Sequence, residues 1–198
     1  MGFAMVAAAR RRIENREQSA AAAAYVFPTD LGWLAIAYSG SRLQRISFGH
    51  PSSASAAAAL PHNASYVSDE RDLPESIRRT VQRLQRFAAG EADDFGDVEL
   101  DLSHLTDFQL RVVKACRRIK AGKSRSYGEL AALAGSPRAA RAVGNVMRGN
   151  RFPLIVPCHR VIGSNGKLCG FTCPEGLAMK EKLLKREGTF LKQPRKAR

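Results

Sequence analysis

Alternation of apolar and polar positions predicts three short strands near the start of the chain, over residues 25–27, 32–38 and 43–48. Asp30-Leu31-Gly32 and Ser39-Gly40-Ser41 supply the turns between them. Residues 50–66, rich in Pro, Ser and Ala, read as a loop with a short helical piece. From residue 74 the period changes. Ile77, Val81, Leu84 and Phe87 recur at spacings of four, three and three, which puts them on one face of a helix over 74–89 that Gly90 ends. A strand over 98–102 then leads to a boundary near Ser103.

Helical periods dominate after the boundary. Phe108, Val112, Val113, Cys116 and Ile119 form the apolar face of a helix over 107–119, so Cys116 reads as an inert core thiol. Ser126 and Glu129 have the spacing of a capping box, which opens a short helix to about residue 134. Gly135-Ser136-Pro137 makes a tight turn, and Pro137 is placed to start a second helix over about 137–147. Ala140, Val143 and Met147 can face inward from it, while Arg138, Arg141 and Arg148 carry charge. Two short helices around a tight turn form a helix-turn-helix pattern. Ala139, Ala140 and Ala142 let the second helix approach another molecule closely while an arginine projects. Asn150 closes this region, residues 154–156 read as a buried strand, and Asn165-Gly166 demands a tight turn between 161–162 and 167–168. A last helix over 175–187 ends at Gly188.

At 198 residues the chain has room for one large domain or two small ones. No run of about 18 apolar residues occurs, so no membrane-spanning helix is expected. The first residues do not read as a secretory signal, because their charge follows the short apolar stretch; they read as a flexible leader. With no export signal, the four cysteines are expected to be reduced thiols. Charge is more informative. Residues 1–106 hold 11 Lys+Arg and 13 Asp+Glu, a net of −2, whereas residues 107–198 hold 21 and 5, a net of +16. An excess confined to one half points to a polyanionic partner, most simply nucleic acid.

The candidate chemistry lies in Pro157-Cys158-His159-Arg160. A cysteine attacks as a thiolate, and a neighbouring histidine or cation makes that form available. Pro157 breaks the preceding run and can expose Cys158 at a turn, and Arg160 adds positive charge. Adjacent strand residues point to opposite faces, so Cys158 and His159 need a turn or a bridging water to communicate. A carboxylate from elsewhere would orient the imidazole. The competing reading is a packed thiol beside a surface histidine.

Residues 155–162, Ile-Val-Pro-Cys-His-Arg-Val-Ile, resemble the acceptor-site motif of the 6-O-alkylguanine-DNA alkyltransferases, the methylated-DNA–protein-cysteine methyltransferases. Thr106-Asp107-Phe108-Gln109, Ser126-Tyr127, Arg141-Ala142-Val143-Gly144, Met147-Arg148-Gly149-Asn150 and the closing Lys180-Glu181, Leu183-Leu184 and Glu187-Gly188 extend the resemblance over about 103–190. Residues 22–102 resemble the family's variable N-terminal domain in outline only. The resemblance implies an α+β N-terminal domain, with a ribonuclease-H-like antiparallel sheet plus helix. An α-rich, winged-helix-like C-terminal domain would follow. The corresponding boundaries are a leader over 1–21, domains over 22–102 and 103–191, and a basic tail over 192–198.

It also implies single-turnover repair. A guanine alkylated on its 6-oxygen is flipped out of duplex DNA, because its reacting atom is otherwise stacked, and its alkyl group passes to Cys158. By the resemblance, His159 takes the thiol proton through a water, Glu187 orients His159, and Asn150 buttresses the site. Tyr127 would donate a hydrogen bond to the base and disfavour the resting position of the 3′ phosphate. Arg141 would enter the space the base leaves, from a helix in the minor groove. Ala139, Ala140, Arg148 and Ser164 would also face DNA. Pro153, Val156 through its carbonyl, Phe171 and Thr172 would line the base pocket.

The partner implied is double-stranded DNA carrying 6-O-alkylguanine, with 4-O-alkylthymine as a second candidate lesion. A monomer is expected, with cooperative binding along DNA left open. Location follows the substrate: cytoplasm in a prokaryote, nucleus in a eukaryote. The loop Gly170-Phe171-Thr172-Cys173-Pro174-Glu175-Gly176-Leu177 departs from the family pattern by two extra residues, and it brings Cys169 and Cys173 toward Cys158. No cofactor is expected. No cysteine precedes Cys116, so the zinc site some relatives carry has no ligands here, and adjacent Cys158 and His159 suit a tetrahedral ion poorly. Two other readings are a non-catalytic lesion-binding protein and an alkylation-responsive transcriptional regulator.

Overall fold

The computed structural model describes residues 22–189, so the leader and the basic tail lie outside the described residues. Strands β1 (Ala23–Thr29), β2 (Gly32–Ser39) and β3 (Arg42–His50) form an antiparallel meander. Each is longer than the periodicity indicated. Strand β4 (Ser65–Tyr66), unforeseen in the Pro/Ser/Ala-rich segment, pairs parallel to β1 and makes the sheet mixed, in the order β3-β2-β1-β4. Helix α1 (Ser53–Ala58) is the helical piece expected there.

Alternation along β2 sorts its side chains between two layers. Leu34, Ile36 and Tyr38 enter the main core with Ile77, Val81, Leu84 and Phe87 of helix α2 (Glu75–Ala89). Ala35 and Ala37 point the other way, into a smaller cluster with Ala56 and Leu60. Gly90 ends α2 at φ 111°, a left-handed conformation that costs glycine little. Residues 98–102 do not form the expected strand. They make a single bridge, in which Leu43 N–H donates to Glu99 O (3.0 Å) and Asp101 N–H to Leu43 O (2.7 Å). Further along the same edge Ile46 N–H donates to Arg151 O (2.7 Å), so β3 has no continuous edge left to pair.

Helix α3 (Asp107–Arg117) is capped reciprocally by Thr106 and Gln109. Helix α4 (Tyr127–Leu133) carries the expected box: Glu129 N–H donates to Ser126 Oγ (3.1 Å), and Ser126 N–H to the Glu129 carboxylate (2.6 Å). Ser126→Ala should therefore cost about 1 kcal/mol, measured by urea unfolding. Helix α5 (Ala140–Arg148) begins later than expected, because Ala139 N–H donates to Ser136 O (2.9 Å) and holds Pro137 in the turn. Strands β5 (Arg125–Ser126) and β6 (Val161–Ile162) pair in parallel. The Asn165-Gly166 turn is present, with Gly163 N–H donating to Lys167 O (2.9 Å), but the strand partner of β6 is β5 rather than 167–168. Helix α6 (Gly176–Arg186) is followed by Gly188 at φ 67°.

Residues 154–156 are buried but are not a strand. Leu154 stands at φ 73°, and Val156 N–H donates to Phe152 O (2.8 Å). Asn150 braces this knot: its Oδ1 accepts from Phe152 N–H (3.0 Å) and its Nδ2 donates to Val156 O (2.9 Å). The apolar run dictated burial, while the side chain of Asn150, just before it in the chain, dictated conformation.

One hydrophobic cluster runs from Phe27 to Leu183 across both halves of the chain. Polar clamps reinforce it. Arg117 Nη2 donates to Phe95 O (2.7 Å) and Val98 O (3.1 Å), Lys120 pairs with Asp94 (2.9 Å), and Arg186 donates to Ala88 O.

Candidate active site

Pro157 ends the buried knot and starts a single 3-10 turn, Cys158–Arg160. The turn sends Cys158 one way and both His159 and Arg160 the other. Cys158 is 8% exposed, and that exposure opens onto a cleft of about 1080 Å³. Tyr127 from α4, Arg141 and Arg148 from α5, and Phe171 and Thr172 from the following loop line the same cleft. The candidate nucleophile thus communicates with the arginine-bearing helix through open space.

His159 is fully buried and points away from the cleft, its Nε2 2.9 Å from Glu187 Oε1. Its Nδ1 is buried without a protein hydrogen-bond partner among the described residues. Arg160 is buried as well. It donates from Nε to Glu187 Oε2 (2.9 Å), from Nη2 to Glu187 Oε1 (2.7 Å), and from Nη1 to Ile119 O. This corrects the expectation that Arg160 charges the surroundings of the thiol: its guanidinium is spent on Glu187.

The electrostatics follow from these contacts. Burial pushes the Cys158 thiol up, against weaker pulls downward from Asn150 and Lys180. Burial lowers His159 and outweighs the opposing hydrogen bond from Glu187. Burial also acts to raise Glu187, but the hydrogen bonds from His159 and Arg160 prevail and hold it at about 2. The resting state is therefore a neutral thiol, a neutral imidazole and an ionised carboxylate. Deprotonation of Cys158 needs a base at the moment of reaction rather than a standing thiolate. Cys116 is fully buried and its thiol is raised well above the ordinary value, in keeping with an inert core residue.

The other candidate residues divide. Asn150 sits beneath the site as a brace. Tyr127 is half-buried, with its hydroxyl 3.5 Å from Cys169 O, and burial raises its pKa. Thr172 Oγ1 donates to Arg148 O (3.3 Å), and Phe171 meets Phe48 edge-on at 6.1 Å between centroids. Ala139 and Ala140 are half-buried at the start of α5, and Ser164 is exposed on the 163–166 turn outside the cleft lining. Pro153 and Val156 do not line the cleft, contrary to expectation. The Val156 carbonyl already accepts from Asn150 Nδ2 and from Cys158 N–H (2.7 Å), which uses both its lone pairs.

Three contributors escaped the sequence reading. Lys180 is fully buried and donates to Val161 O (2.6 Å) and Cys169 O (2.9 Å), tying the loop after β6 to the segment carrying Cys158. A signal existed: residue 180 lies three and four before the buried Leu183 and Leu184, on the inward face of α6. Ser47 and His50 of β3 line the cleft, with Ser47 Oγ 2.7 Å from His50 Nε2, and nothing local marks them. Cys173-Pro174, the departure from the family loop, forms cleft wall alongside His50. Cys158, Cys169 and Cys173 are free thiols lining this one cleft.

The sequence profile described as 6-O-methylguanine DNA methyltransferase, DNA binding domain, matches residues 107–189. A methylated-DNA–protein-cysteine methyltransferase of Methanosarcina acetivorans is 45% identical over 125 residues, which cover 63% of this chain and 75% of that protein. The enzyme of the same name from Mycobacterium bovis is 52% identical over 98 residues, covering 50% of this chain and 58% of that protein. The crystal structure of Mycobacterium tuberculosis OGT in complex with DNA superposes with a TM-score of 0.67 at 39% identity, over 83% of this chain and 92% of that one. With the cysteine and the arginine helix on one cleft and the histidine–glutamate pair buried behind the cysteine, these likenesses show that the chain belongs to the methylated-DNA–protein-cysteine methyltransferase family.

Proposed function

We propose that this protein repairs DNA by taking an alkyl group from the 6-oxygen of guanine onto Cys158, once per molecule. The observation that carries the reading is the opening of Cys158 into the cleft shared with Tyr127 and Arg141, with His159 and Glu187 directly behind it. At about 1080 Å³ the cleft is slightly larger than the roughly 300–1,000 Å³ of small-molecule sites, so it has room for an extruded nucleobase.

In this reading α4 and α5 act as the helix-turn-helix of a winged-helix-like unit set against the minor groove, beside a ribonuclease-H-like N-terminal half. Arg141, exposed on α5, fills the gap left by the flipped guanine. Glu187 is ionised, so Nε2 of His159 carries the hydrogen that faces it and Nδ1 holds the free lone pair. Nδ1 receives the thiol proton through a bridging water, which its buried and otherwise unpartnered position suits. The sulfur then attacks the alkyl carbon. The S–C bond forms, the C–O bond breaks, and its electron pair returns to guanine, helped by a hydrogen bond from Tyr127. The thioether is stable, so the sulfur stays occupied. A monomer acting on 6-O-alkylguanine, and on 4-O-alkylthymine as a second lesion, completes the reading. It works wherever the DNA is, in the cytoplasm of a prokaryote or the nucleus of a eukaryote.

The test is incubation with duplex DNA bearing radiolabelled 6-O-methylguanine, with one label expected per protein molecule. DNA retained without label transfer would identify a non-catalytic lesion binder instead. Arg141→Ala should slow transfer from duplex by roughly 10- to 100-fold, since unstacking costs about a few kcal/mol, and should leave transfer from a single-stranded oligonucleotide much less affected. Single-turnover rates on the two substrates check this.

A further inference from the structure

We infer that Arg160 is a positioning residue: it offsets the charge of Glu187 so that His159 stays an uncharged base until the thiol proton reaches it. The inference rests on alkyl transfer to Cys158 and adds a residue to that machinery.

The geometry is a shared carboxylate. Glu187 Oε1 receives both His159 Nε2 (2.9 Å) and Arg160 Nη2 (2.7 Å), and Oε2 receives Arg160 Nε (2.9 Å). The Arg160 guanidinium is thus bidentate on Glu187, and Nη1 on the Ile119 carbonyl pins its far side. Arg160 is 3% exposed and His159 fully buried, so little water competes with these contacts.

A carboxylate facing an imidazole favours a protonated ring, whereas burial disfavours it, so the balance depends on how much of the carboxylate's charge is met elsewhere. A charged ring has both nitrogens protonated and no lone pair for the thiol proton. With Arg160 in place the negative charge is already matched. The ring then keeps a single hydrogen, on Nε2, and leaves Nδ1 bare.

Every other charged or titratable neighbour works in the same direction or is silent. From α6, Lys180 opposes a charged ring. The thiols of Cys158 in the turn and Cys116 on α3 are held neutral by burial. A protonated His159 would put a second positive charge on the single carboxylate that Arg160 already holds. Arg160 also explains why the position after the histidine is occupied by a residue that never reaches the cleft: its role is exerted through Glu187 on the ring.

Two measurements decide the inference. Nitrogen-15 NMR of the wild-type protein, labelled at histidine, should show the His159 ring at neutral pH with one protonated and one bare nitrogen. A doubly protonated ring would overturn the proposal, and this readout needs no variant. Arg160→Met should move the acid limb of the single-turnover rate to higher pH. At saturating DNA the variant is expected to run at least roughly tenfold slower at about pH 6 than at about pH 8, where the wild type holds its rate. Arg160→Lys, which keeps the charge, should return the limb toward the wild-type position. A loss of rate that is uniform in pH, with the limb unmoved, would assign Arg160 to packing alone and sink the proposal. If the methionine variant does not fold, Arg160→Gln, which also removes the charge, takes its place with the same two outcomes. Failure of the wild type to accept label at any pH would instead remove the repair reading itself.

Discussion

Replacing Cys158 by serine is expected to abolish alkyl transfer while leaving lesion-bearing DNA bound. The change removes the one atom that ends in the product. Serine fits the same space at the head of the 3-10 turn, keeps the backbone N–H bond to Val156 O (2.7 Å), and leaves the Arg141 helix and the cleft wall untouched. Its hydroxyl is a far weaker nucleophile than sulfur. Loss of a covalent nucleophile commonly costs at least about 10⁴-fold, so transfer should fall below detection. Mass spectrometry for added alkyl mass and a gel shift with the lesion-bearing duplex separate the two outcomes. Alkyl mass on Cys169 or Cys173 of the variant would overturn the assignment, because both thiols line the same cleft.

Glu187→Gln should damage both stability and rate. Among the described residues Glu187 is the only anion bound by the buried Arg160 guanidinium, and it is the partner of His159. Removing its charge leaves Arg160 uncompensated away from water, which costs about 3–5 kcal/mol. At this chain length that corresponds to a melting temperature lower by roughly 6–20 °C. Transfer should slow by about 10²–10⁴, since the base loses its orienting group.

The stability effect carries a pH signature. Glu187 titrates at about 2 in the folded protein against an ordinary 4.5. Its contribution is full above pH 4.5 and is lost as pH falls toward 2; it amounts to about 3 kcal/mol. His159, lowered by burial, adds in the same sense, because stability is also lost when the unfolded imidazole gains a proton the folded one resists. The wild-type and glutamine-variant unfolding curves should therefore lie far apart at neutral pH and converge only as pH falls to about 2. Separation that persists into acid would mean that the carboxylate is not ionised in the folded state.

Much of the fold could be read along the chain, because repeating side-chain contacts leave a repeating pattern. The apolar stripe of α2 and the capping box of α4 lie within one or two turns of the residues that make them. The ordered motifs around Pro157-Cys158-His159 are local in the same sense, and they marked the acceptor, the histidine, the cleft-lining Tyr127 and Arg141, and Glu187 before any coordinates.

What tertiary structure alone decided is direction. A run such as 154–156 is apolar whether it becomes a strand or a knot, and the Asn150 side chain bonded across it settles which. Adjacent residues Cys158, His159 and Arg160 differ in sequence position by one or two, yet one opens onto a cleft and two turn inward to a carboxylate 27 or 28 residues away. Ser47 and His50 reach the cleft only because β3 passes beside the loop holding Pro174. The sequence by itself determined which side chains are available and how the local segments coil; the partners each buried polar group chooses are long-range, and only the closed core, by removing water as an alternative partner, compels them.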